Sequence, residues 1–150
     1  MDAYITVKDI RSLKVSGGGD VVGEGMITVN ALKIAVSGGG DVQMTLDAGA
    51  TDLAVSGGGD AELSGNIKDF TATLSGGGDL ELKTQTKTMN LSISGGGDAE
   101  IQGEGVAEEA VITISGGGDL EMDMPCTNMK IKVSGGGDVE VNAGDQVVSA

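Results

Sequence analysis

Apolar and polar residues alternate strictly on both sides of a glycine-rich pentapeptide that recurs along this chain. Immediately before each copy stand Val15, Val36, Val55, Leu74, Ile93, Ile114 and Val133, and two residues earlier Leu13, Ile34, Leu53, Ala72, Leu91, Ile112 and Ile131. The position between them is small or polar: Lys14, Ala35, Ala54, Thr73, Ser92, Thr113 and Lys132. Directly after each copy come Val21, Val42, Ala61, Leu80, Ala99, Leu120 and Val139. The next position is mostly acidic or amide, at Gln43, Glu62, Glu81, Glu100, Glu121 and Glu140, with Val22 the exception. The one after returns to apolar, at Met44, Leu63, Leu82, Ile101, Met122 and Val141, with Gly23 the exception. A period of two, rich in β-branched residues, predicts strands with one buried face. Each unit therefore reads as a strand, a tight corner, a second strand and a more variable connection.

The corner is Ser-Gly-Gly-Gly-Asp, and it occurs seven times, starting at Ser16, Ser37, Ser56, Ser75, Ser94, Ser115 and Ser134. Spacings of 19 or 21 residues separate the copies, which hold 21 of the 28 glycines. A single unit of this size cannot bury its apolar face, but stacked units can, with equivalent side chains forming columns through a continuous interior. The expected fold is all-β: a parallel β-helix of about seven coils, 19–21 residues per coil, with the right-handed path that parallel connections usually take. At ~4.8 Å per coil, seven coils make a rod roughly 34 Å long. A hairpin sandwich is the competing fold, but it calls for Asn-Gly or Asp-Gly turns every 8–12 residues, and these are absent. The glycines suit positive φ and close stacking of backbone at the corner.

Composition narrows the function more than it defines it. One Phe, one Tyr and no Trp leave a conventional aromatic core out of reach; a narrow interior of Val, Ile, Leu, Met and Ala explains that scarcity. A net charge of −14 argues against electrostatic binding to nucleic acid or to an anionic membrane. No run of apolar residues is long enough to cross a membrane as a helix. Zero His and a single Cys rule out a catalytic triad, a His-based zinc site and an internal disulfide within these 150 residues.

The residues with chemical potential are the corner aspartates Asp20, Asp41, Asp60, Asp79, Asp98, Asp119 and Asp138, which should stack in one column. Two residues on, Glu62, Glu81, Glu100, Glu121 and Glu140 should form a second. Like charges 5 Å apart repel by ~0.8 kcal/mol in bulk water and ~3 kcal/mol at an effective dielectric of 20. Backbone N–H groups of the glycine corner, arranged as a nest, are the expected compensation. The alternative is Ca²⁺ bridging the seven aspartates, although the corner order differs from the Gly-Gly-x-Gly-x-Asp of Ca²⁺-binding β-rolls. Catalysis fits poorly. Identical carboxylates on every coil do not make the differentiated pair that acid–base chemistry needs, and the only Arg is Arg11. Phosphate binding is excluded because the corner ends in Asp and no Walker lysine follows. Cys126 lacks a neighbouring base. Met89, Met122, Met124 and Met129 read as interior filling rather than a metal set. The two 21-residue repeats each contain Gly-Glu-Gly, at Gly23–Gly25 and Gly103–Gly105, and at different offsets; these read as bulges, with binding loops the alternative.

With these residues in view, the chain resembles the head GIN domain family of auto-transporter adhesins, whose repeats are valine-flanked Gly-Ser-Gly-Asp corners. The likeness rests on Ile5-Thr6-Val7-Lys8-Asp9-Ile10, on Leu13-Lys14-Val15, and on the seven corners through Val133 to Val141. One departure is that the middle corner residue is Gly in every copy, where the family usually has Ser. The resemblance implies a β-helical fold, export from the cytoplasm to the periplasm, outer membrane or cell surface, and an adhesive role. The expectation is thus a non-enzymatic structural or adhesive module of a bacterial envelope protein, without cofactor. Its partner would be a protein or a surface glycan, bound through a lateral face or the extra loops. A Ca²⁺-stabilised binding module, a carbohydrate-active solenoid and an end-to-end polymerising spacer are the alternatives. Solenoid ends template further pairing, and no cap is evident in the pattern, so residues 1–150 are expected to be one domain that is a segment of a longer one, or one whose ends are covered by other chain or by a second copy.

Overall fold

The computed structural model describes residues 10–144 and 147–149. Ile5-Thr6-Val7-Lys8-Asp9 of the lead-in lie outside the described residues. Among the described residues twelve strands form one sheet wound on itself: β1 (Ser12–Gly17), β2 (Val21–Gly38), β3 (Val42–Gly57), β4 (Ala61–Gly76), β5 (Leu80–Gln85), β6 (Thr88–Gly95), β7 (Ala99–Gly103), β8 (Ala107–Gly116), β9 (Leu120–Asp123), β10 (Cys126–Gly135), β11 (Val139–Asn142) and β12 (Val147–Ser149). No helix occurs among the described residues. The protein is a parallel β-solenoid of about seven turns.

Each coil has two walls. In the second coil Val42, Met44, Leu46 and Ala48 point inward from the first wall; Thr51, Leu53 and Val55 do so from the second. The inward positions change from even to odd at Gly49-Ala50, which marks the bend between walls. A Cβ on Gly49 would lie 2.5 Å from the Asn30 carbonyl oxygen, so the bend stacks too closely for a side chain. Coil register follows the corners, with Ser37 opposite Ser56 and Ser56 opposite Ser75. The interior is a set of apolar columns, such as Ile34, Leu53, Ala72, Leu91 and Ile112, all at most 1% exposed.

The variable connection between walls takes two forms. In β2, β3 and β4 the strand continues through the bend, and Ala48↔Ile67 and Ala50↔Asp69 remain paired across it. Later coils break there for local reasons. Pro125, which lacks an N–H, separates β9 from β10, and the Gly103–Gly105 insertion separates β7 from β8. The Gly23–Gly25 insertion is absorbed as a bulge inside β2, where the register shifts between Val22 and Met26. The methionines fill the interior as expected for Met89, Met122 and Met124, each at most 2% exposed, while Met129 is only partly covered.

The C-terminal end carries a partial cover that the periodic pattern does not announce. β12 turns back and pairs antiparallel with β11, closing the first wall, while β10 on the second wall has β8 as its partner.

Candidate functional site

The corners place all seven aspartates on one edge of the rod. Their compensation differs from the expected glycine nest. Each of the first six carboxylates accepts the backbone N–H of the aspartate one coil further on: Asp41 N–H to Asp20 Oδ1 at 3.2 Å, Asp79 N–H to Asp60 Oδ1 at 3.0 Å, and Asp138 N–H to Asp119 Oδ1 at 2.9 Å. The same bond joins Asp60 to Asp41, Asp98 to Asp79 and Asp119 to Asp98. Glycine N–H groups serve the backbone instead. Gly39 donates to the Gly17 carbonyl and Gly58 to that of Gly38, both at 2.9 Å. A hydrogen bond to a charged acceptor contributes ~1.5–3 kcal/mol. That outweighs the ~0.8 kcal/mol repulsion per exposed neighbour in bulk water, so the column is tenable without a counter-ion.

The glycines of a corner have unequal roles. In the corner at Ser56, Gly57 has a φ of +118° and Gly59 would place a Cβ 2.3 Å from the Gly40 carbonyl oxygen, whereas a Cβ on Gly58 would meet nothing within 4 Å. Only the first needs a left-handed backbone. The third is glycine because the coil beneath it is too close.

The second acidic column, Glu62 to Glu140, runs alongside the first. Gln43 Nε2 donates to Glu62 Oε2 at 2.9 Å and Gln102 Nε2 to Glu100 Oε1 at 2.7 Å. Lys83 pairs with Glu81. The Lys83 pKa is raised, first by its hydrogen bond to Glu81 and then by the charge of Glu81, with Glu62 and Glu100 adding to it. Between the two columns lies a trench of about 1130 Å³ that spans all seven corners, from Asp20 to Asp138 along one side and to Glu140 along the other. The two columns are legible in the sequence; the hollow between them is not, because it depends on how the corner is angled to the first wall. A smaller hollow of about 530 Å³ lies across the bend of the early coils, lined by Arg11, Asn30, Lys33, Asp52, Asp69 and others, with charges of both signs.

The aspartates named as Ca²⁺ candidates are thus brought together in a line, one per coil. Among the described residues no group of three or more acidic, His or Cys side chains is arranged to hold a metal ion. A Ca²⁺ site takes six to eight oxygens, and each of the first six aspartates already has one carboxylate oxygen accepting an N–H. Cys126 is half-buried, with its thiol donating to the Met124 carbonyl at 3.5 Å, and burial pushes its pKa up, away from thiolate reactivity. No helix among the described residues is long and apolar enough to cross a membrane. The insertions expose apolar side chains, Val22 and Met26 beside the first and Val106 beside the second, at 59–65%.

A stack of parallel coils, faced along one wall by a column of seven aspartates and beside it a column of five glutamates, defines a repeat protein whose corner surface recurs from coil to coil. Within that class, the family model described as "Putative auto-transporter adhesin, head GIN domain" matches residues 1–104 and again residues 75–149. The chain belongs to that family. The two overlapping matches reflect the self-similarity of the coils. No curated protein and no solved structure matches the chain.

Proposed function

We propose that this chain is a non-enzymatic binding module of a bacterial surface protein, and that the acidic trench is the face that engages its partner. The family's description as an adhesin head supports the surface role and an extracytoplasmic location. The trench carries the rest: it is long, regular and lined by the seven aspartates together with Glu62, Glu81, Glu100, Glu121 and Glu140. A surface repeated from coil to coil suits an extended, repetitive partner, and its sign calls for a cationic one, such as a basic protein segment or an amino-sugar polymer. Catalysis would need one carboxylate pair set apart from the others, and the columns repeat instead.

Binding of the purified chain to chitosan oligomers, poly-lysine, dextran and heparin, measured by biolayer interferometry across a salt series, tests this reading. Binding to the two cationic polymers should weaken steeply with salt and fall when Glu62, Glu81, Glu100 and Glu121 are together changed to Gln. Preference for dextran or heparin, or indifference to those four changes, would overturn it.

A further inference from the structure

Among the described residues the one antiparallel ladder lies at the C-terminal end. β12 docks on β11 through Asn142↔Val147, Val141↔Val148 and Glu140↔Ser149. Among the described residues the neighbouring wall ends in β10, paired to β8 on one side only. Interior side chains show the consequence: Met129, Ile131 and Val133 are partly covered, whereas Ala110, Ile112 and Ile114 in the coil beneath are fully buried. At the other end β1 pairs, among the described residues, with β2 alone, so the described part of the same wall presents a strand edge there too. We propose that β12 is a stop strand, which keeps a second copy of this chain from adding end to end.

A second copy is the occupant that the open β10 edge fits. β1 reads Ser-Leu-Lys-Val-Ser-Gly and the last six residues of β10 read Lys-Ile-Lys-Val-Ser-Gly. In the register of the inner ladders, an incoming Leu13 stacks on Ile131, Val15 on Val133 and Gly17 on Gly135. Leu13 and Val15 stack in the same way on Ile34 and Val36 within the chain. The incoming Asp20 N–H then reaches the Asp138 carboxylate, repeating the bond that joins every other corner pair. The corner of the incoming copy leads into its β2, whose place is the free edge of β11. That edge is where β12 lies, so β12 and the incoming β2 compete for it. With β12 docked, a newcomer can pair with one wall but cannot complete its coil. A parallel edge otherwise templates growth, and head-to-tail contact of this kind has no geometric end point.

Sedimentation velocity over a wide concentration range tests the proposal on three proteins: the full chain, the chain ending at Gly144, and Val148→Pro. The full chain should sediment as one species at every concentration. The other two should form longer species that grow with concentration and with salt, since Lys14 of one copy meets Lys132 of the next. In the shortened chain, Lys132→Glu should lower the half-association concentration roughly fivefold, and adding Lys14→Glu should reverse that gain. Three results would overturn the proposal: a shortened chain that stays monomeric with its β circular dichroism intact, association blind to the charge at Lys132, or a full chain that assembles as readily as the shortened one. Loss of the β signal in both variants would make β12 a folding element and not a stop.

Discussion

Gly58→Ala and Gly59→Ala alter neighbouring residues of one corner and are expected to differ by several kcal/mol. A Cβ on Gly59 would stand 2.3 Å from the Gly40 carbonyl oxygen and 2.9 Å from Val36 Cγ1. Relieving that overlap means parting two coils by ~1 Å, a gap that forfeits a quarter to a half of the dispersion energy of facing atoms. The same gap stretches three bonds between the coils: Gly58 N–H to the Gly38 carbonyl at 2.9 Å, Asp60 N–H to Asp41 Oδ1 at 3.1 Å, and Val42 N–H to the Asp60 carbonyl at 2.9 Å. At ~1 kcal/mol net for each bond, Gly59→Ala costs ~3 kcal/mol. Gly58→Ala meets open space, and the reduced freedom of the unfolded chain stabilises the protein by ~0.4–1 kcal/mol.

For a chain of this size 1 kcal/mol moves the melting midpoint by about 2–4 °C. Thermal unfolding followed by far-UV circular dichroism should therefore place Gly59→Ala about 6–12 °C below the parent. Gly58→Ala and Gly58→Ser should lie at the parent value or slightly above it. Equal losses at the two positions, or no loss at Gly59, would refute the steric argument.

Thr51 sits inside the solenoid at 2% exposure, and its hydroxyl has no hydrogen-bond partner; Thr51→Val should raise stability by ~1 kcal/mol in urea unfolding. Asp79→Asn keeps an acceptor for the Asp98 N–H and removes a charge from the column, so its midpoint should hold or rise, whereas Asp79→Ala should lose ~1–3 kcal/mol in the same assay. Excess EDTA and millimolar Ca²⁺ should leave the melting midpoint where Mg²⁺ at matched ionic strength leaves it; a rise specific to Ca²⁺ would show that the corners are ion sites. Alkylation of Cys126 by iodoacetamide should accelerate at higher pH in the folded chain than in urea, because burial favours the protonated thiol. That shift also makes the native state lose stability as pH rises from the unfolded thiol's pKa through the folded one, so a midpoint that climbs over this range would contradict it.

The coil register could be read from the sequence because Ser-Gly-Gly-Gly-Asp marks each turn and the flanking Val, Ile and Leu keep a period of two. The columns at Val36 and Val55, and both acidic columns, follow from that spacing alone. The bend between walls was less visible. Its cause at Gly49 is one close approach to Asn30, and other residues fill that position in other coils. The partner of each carboxylate is hidden in the sequence for a similar reason. Three glycines suggest a nest, but the donor is the N–H of the next aspartate, which depends on the stagger between coils. β12 is not announced by the sequence, because its antiparallel pairing with β11 does not follow from the repeat.

The hydrogen bonds that join the coils run along the rod, and this determines how the protein yields to a pull. Tension applied between β1 and β12 loads only the outermost coil, which peels while the coils beneath stay intact. Each released coil of 19 residues pays out roughly 65 Å of extended chain in exchange for ~4.8 Å of rod. A rod built this way lengthens in steps under load, one coil at a time, rather than giving way all at once.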